Sequence, residues 1–211
     1  MSSARWKLCV QLAIGYFFLM TALWTPPGPA DAACILLTTV TVLLFAFDGR
    51  YSRREMGLVA PGLAAIRWIA GLGLLAAMLL PLIATVTGAN ATPTHALPLR
   101  TAWQYAVWTF VQQFILQSFF YVRMETLLGS RKAVFATTAL FAIAHIPNPI
   151  LTLVTVVAGL FFCEMFRRFR TILPLGTIHA ALGLILAASF SDSLLHHMRV
   201  GIGYFLLYRP R

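Results

Sequence analysis

Five side chains able to do chemistry sit in stretches otherwise almost wholly apolar. Gln112, Gln113 and Gln117 fall inside one hydrophobic run, His145 closes a second, and His179 lies within a third. Polar groups in hydrocarbon are costly, so their positions are informative. At 3.6 residues per turn Gln113 and Gln117 share a helix face, with Gln112 about 100° to one side of Gln113. Imidazole can take or give a proton near neutral pH. A primary amide cannot act as a base there; it can only hydrogen-bond and orient. Convergence on one cavity would satisfy all five groups at once. Polar glue between helices, without chemistry, would account for the same residues.

The elements that must position them read as a polytopic all-α transmembrane bundle of about seven spans. The apolar segments run 9–24, 32–47, 66–86, 102–122, 133–146, 150–166 and 172–190, each of about the length a bilayer asks for. Residues 57–65 read as a linker, possible at the interface, 88–100 as a polar stretch, and 191–211 as a mixed tail. Pro147-Asn148-Pro149 prevents one continuous helix through the fifth and sixth segments. The whole chain is expected to form a single membrane domain, residues 1–211.

Composition excludes an ordinary soluble domain. Hydrophobic residues make up 60% and charged residues 10% of 211 residues, against roughly 25% charged in soluble proteins. The net charge of +10 would suggest nucleic acid elsewhere, but here the basic residues form short clusters between apolar runs. Such clusters set topology and meet anionic headgroups, so nucleic acid is not an expected partner and membrane lipids are. Arg5, Lys7, Arg50, Arg53, Arg54, Arg67, Arg123, Arg131, Lys132, Arg167, Arg168 and Arg170 all fall on one side of a seven-span path. That asymmetry predicts a cytoplasmic N-terminus; the expected location is a bacterial inner membrane, and because residues 30–33 are followed at once by another apolar run the first span is expected to be retained rather than cleaved. Cys9, Cys34 and Cys163 lack any paired spacing and read as packing residues. Two histidines without further ligands give no metal site, and no cofactor is expected. His196-His197 reads as a solvated or interfacial pair, and Glu125 and Glu164 as interfacial ion-pair partners.

The order Gln-Gln-x-x-x-Gln, Phe-x-x-x-His, His-x-x-x-Gly resembles the CPBP family, which holds type II CAAX prenyl endopeptidases and bacteriocin-processing proteins. That family's pattern is Glu-Glu-x-x-x-Arg, Phe-x-x-x-His, His-x-x-x-Asn on successive spans. Phe141 to His145 fits the second motif in full, and His179 opens the third after Pro174-Leu175. The resemblance covers about residues 103–189 and implies a CPBP-like core over 102–190. It implies catalytic positions at His145, His179, Gln112 and Gln113, with Gln117, Phe141 and Asn148 as substrate contacts.

The departures matter to the chemistry. The family's glutamate pair, thought to activate water, is Gln112 and Gln113 here; the motif arginine is Gln117 and the final asparagine Gly183. Losing the arginine with the acids is coherent, because a buried guanidinium without a carboxylate is costly. Two functions follow as expectations. One is an intramembrane endopeptidase acting on a membrane-bound peptide or lipidated substrate. The other is a non-catalytic relative that binds a lipid, peptide or membrane partner in the same cavity.

Overall fold

The computed structural model describes residues 3–90 and 99–206, whose regular elements are all helices, joined by short turns and a longer loop at 47–62. Helix α1 (Ser3–Trp24) stops before Pro26-Pro27, and α2 (Pro29–Ala46) starts with a proline in its first turn, where no N–H is needed. Helix α3 (Leu63–Thr87) ends on Gly88 in the left-handed region, φ 67°, the usual glycine stop. Helix α4 (Leu99–Gln113), a π-helical segment (Phe114–Tyr121) and α5 (Val122–Leu128) follow one another, with helical backbone at both joints. Helices α6 (Ser130–Ile143), α7 (Pro149–Phe169) and α8 (Leu173–Ser189) complete the bundle. The tail adds α9 (Asp192–Leu195), a 3-10 turn (His196–Met198) and α10 (Ile202–Leu206).

Burial is inverted relative to a soluble protein. Leu36, Leu44 and Val86 are 65%, 68% and 77% exposed, while Gln113, Gln117, Ser118 and Arg123 are fully buried. Only a solvent as apolar as leucine makes that arrangement stable. Helices α1, α2, α3 and α7 are each long and apolar enough to cross a bilayer, and α8 is a shorter apolar helix. The chain is a multi-pass integral membrane protein.

The two ends of the bundle are tied differently. At one end Arg5 donates to the Leu127 carbonyl at 3.0 Å, Tyr51 meets Thr126 at 3.1 Å, and Arg170 pairs with Glu125 at 2.5 Å. The α2–α3 loop folds back here: Ser118 donates to the Met56 carbonyl at 2.6 Å, and Ile172 to that of Gly57 at 3.1 Å. This segment, expected as a linker, is partly interior, with Met56 only 2% exposed. At the other end the tail packs beneath α1, α3 and the α6–α7 turn. Gly201 donates to Ile146 and Ser191 to Ala89. The basic clusters expected on one side do gather at the first end, except for Arg123, whose side chain is wholly buried.

The fifth span is shorter than its apolar run. Helix α6 stops at Ile143, and His145 occupies the following turn, its N–H bonded to the Ala142 carbonyl. Two prolines in three residues disfavour helical backbone just before them, so the histidine that closes the apolar run sits just past the helix end.

Candidate active site

The π-helical segment sets the geometry. Its extra residue per turn is visible where the Val122 N–H bonds to the Gln117 carbonyl, five residues back. Such insertions recur at functional sites. Gln113 and Gln117 face the same way, and the Gln117 amide nitrogen lies 3.4 Å from Gln113 Oε1. The Gln113 amide nitrogen is 3.1 Å from His179 Nδ1. Beyond Gln117 the contacts reach Cys163, whose Sγ is 3.8 Å from the Gln117 amide nitrogen. Gln117 Oε1 is buried without a hydrogen-bond partner.

Close helix approach makes this alignment possible. A Cβ on Gly176 would fall 2.5 Å from the Phe110 ring, and Thr109 reaches the Gly176 carbonyl at 3.3 Å. Gly73 likewise lets Ile178 bring α3 onto α8. Small residues at these crossings let membrane helices pack backbone to backbone. His179, three residues past Gly176, is thereby held against Gln113.

His145 is fixed differently. Its Nδ1 lies 2.7 Å from the Phe141 carbonyl, which can only accept, so Nδ1 carries the proton and the neutral ring keeps its Nε2 lone pair free. Phe141 packs edge-on against both histidines, 4.7 Å from His145 and 6.1 Å from His179 between centroids, while Phe162 lies 4.9 Å from His179.

A cavity of about 750 Å³ opens among α3, α4, α7 and α8, with Gln112, Phe141, His145 and His179 in its wall. A smaller one of about 100 Å³, against α1, shares Trp108, Gln112, Phe141, His145 and Val200 with it. Gln112 and His145 thus stand at a polar waist between two apolar chambers. Among the described residues no carboxylate lines either chamber. Glu125 pairs with Arg170 and Glu164 with Arg167 and Arg168, away from the cavity as interfacial partners should be. Among the described residues no cluster of three or more His, Cys, Asp or Glu could hold a metal.

The structure therefore brings Gln112, Gln113, Gln117, Phe141, His145 and His179 together. It places Asn148 elsewhere. That side chain accepts from the Leu151 N–H at 3.0 Å, capping α7, and donates to the carbonyls of Leu195 at 2.8 Å and Arg199 at 3.3 Å. It is buried and does not line either chamber.

Other wall residues escaped the sequence reading. Tyr105 and Trp108 share the Gln112 face of α4, at seven and four residues before it, a spacing that could have flagged them. Tyr105 explains the departure at Gly183: a Cβ there would lie 1.8 Å from the tyrosine Oη. The hydroxyl occupies the space into which the family's asparagine would project. His197, from the tail, also lines the larger chamber.

Residues 94–185 match the family described as type II CAAX prenyl endopeptidase Rce1-like. The match covers the motif positions Gln112, Gln113, Gln117, Phe141, His145 and His179 and bears out the resemblance drawn from the motifs. No curated protein sequence matches the chain significantly.

Proposed function

We propose that this CAAX protease-like membrane protein holds a membrane-borne amphiphile, a lipid or lipidated peptide, in its intramembrane cavity without hydrolysing it. The observation that carries this reading is the site itself: amides occupy the motif's acid positions, Gln112 in the wall and Gln113 on His179, and no carboxylate lines the cavity among the described residues. Gln113 donates its amide N–H to His179 Nδ1 but cannot take a proton from water. The cavity keeps the attributes of a binding site: apolar chambers, a few convergent polar groups and an open side. The basic end of the bundle is assigned to the cytoplasm, with the N-terminus there, in a bacterial inner membrane.

The free Nε2 of His145 favours a second reading, hydrolysis with imidazole as base. His145 would take a proton from water, the hydroxide would add to the scissile carbonyl, and the imidazolium would return the proton to the departing amine. One experiment separates the two. Purified protein is incubated with a prenylated peptide, and binding and cleavage are both followed. Retention without cleavage is expected. Cleavage that disappears in His145→Ala would establish the second reading. The double variant Gln112→Glu, Gln113→Glu restores acids at the motif positions, and any cleavage it gains would identify the amides as the reason for inactivity.

A further inference from the structure

The tail contributes His197, Met198 and Val200 to the wall of the larger chamber, and three observations show that its path there is built rather than incidental. His196, His197 and Met198 carry successive left-handed φ values of 48°, 51° and 55°, a run that L-residues avoid unless surrounding contacts impose it. Asn148 imposes it from below, binding the Leu195 and Arg199 carbonyls on either side of the run. Gly201 then closes the strap: its N–H meets the Ile146 carbonyl at 2.9 Å, and a Cβ there would lie 2.0 Å from the Leu23 oxygen. Leu195 is buried against Leu151 and Leu186.

This forced turn sets His197, Met198 and Val200 in the cavity wall. His197 is held by Asp192, with Nδ1 2.9 Å from Oδ2. A carboxylate only accepts, so Nδ1 carries the proton, and in that tautomer Nε2 is the acceptor. His145, next to the Ile146 that Gly201 binds, and Thr101 also line this chamber. A bound chain whose polar end reaches the tail meets the His197 acceptor, backed by a negative charge.

From this geometry we infer that the latched tail is part of the ligand site, and that His197 receives a hydrogen bond from the polar end of the amphiphile. The ligand class is an amphiphile ending in a hydroxyl or amide N–H rather than a carboxylate, which would meet a lone pair and the Asp192 charge. The inference rests on the amphiphile-binding reading above, and the two can fail separately.

The probes are a dibrominated stearyl alcohol and the matching dibrominated stearate, added to full-length protein in detergent. Bromines entering the chamber quench Trp108, whose share is isolated by comparison with Trp108→Phe. The alcohol is expected to quench at lower concentration than the carboxylate. In His197→Phe that preference should shrink about three- to tenfold, the worth of one hydrogen bond, while the chain still reaches Trp108. Asn148→Ala, which unlatches the turn, should shrink it as well. An unchanged preference in His197→Phe, with Trp108 still quenched, overturns the head-group assignment and leaves the cavity reading standing. Absence of Trp108 quenching by either probe overturns the cavity reading and this inference with it.

Discussion

Gln117 and Arg123 lie six residues apart on one helical rod, both fully buried, yet their surroundings differ in kind. Arg123 is saturated. Its guanidinium donates to Gln11 Oε1 at 3.1 Å, to the Phe119 carbonyl at 3.2 Å and to the Phe45 carbonyl. It also lies over the Phe119 and Tyr51 rings. Gln11 passes the interaction on, donating to Asp48 at 3.0 Å, so the buried cation reaches a carboxylate through one amide. Gln117, by contrast, makes one long hydrogen bond and one sulfur contact and leaves Oε1 without a partner. The charged cluster binds α1, α2 and α5 into one end of the bundle. The neutral cluster ties less and lies behind His179, which lines the cavity. Rigidity and spare hydrogen-bonding capacity are thus segregated along one helix.

The largest effect expected from breaking this contrast is at Arg123. Arg123→Ala strands Gln11 and two carbonyls, removes a nearby positive charge from Asp48 and opens a void; about 3–5 kcal/mol of stability should be lost. Gln117→Met removes an unsatisfied oxygen at similar volume and should cost about 1 kcal/mol or less. Detergent-mediated unfolding of both variants measures the difference. Equal losses would show that the two clusters carry the same structural load.

A smaller effect is expected where α4 meets α8. Gly183→Ala drives a methyl into the Tyr105 hydroxyl and should cost about 1–3 kcal/mol through overpacking. Withdrawing the ring in Tyr105→Ser should recover part of that loss, so the double variant is less destabilised than the two single losses added together. Strict additivity would show that the contact does not hold these helices at their present spacing.

Much of this was legible in the chain because the signals are local. The apolar runs and their breakers located the helices to within a few residues, and i, i+4 spacing placed Gln113 and Gln117 on one face. His179 meeting Gln113 followed from the motif order. What escaped depended on long-range contact. Arg123 reads as one more flanking cation, and only the fold shows Gln11 reaching it from α1, 112 residues away in sequence. Asn148 sits between prolines beside a motif histidine, which suggests a substrate contact; its real partners, Leu195 and Arg199, lie 47 and 51 residues downstream. The tail's place in the cavity wall has no periodic signature, because it is set by a turn that local propensity opposes.

The smallest expected effect concerns the acids that anchor the charged end. Burial acts to raise the Asp48 carboxyl, but hydrogen bonds from Gln11 and the Arg50 N–H, with the Arg123 and Arg50 charges, together hold it below its ordinary range. Glu55 is lowered too, chiefly by the Ser52 N–H and hydroxyl. A carboxyl depressed in the folded state contributes stability that is present above its unfolded value and lost as pH falls through the folded one. Stability should therefore be flat near neutrality and decline below about pH 4, the ordinary carboxylate range. Both groups are largely exposed, so solvent screening keeps each contribution small. Asp48→Asn should flatten part of that acid decline while leaving cavity binding at neutral pH unchanged, since Asp48 contacts Gln11 and Arg50 rather than the chamber wall. An acid limb unaltered in Asp48→Asn would mean that the guanidinium of Arg123 is held by its neutral partners alone, and the amide relay through Gln11 would lose its electrostatic role.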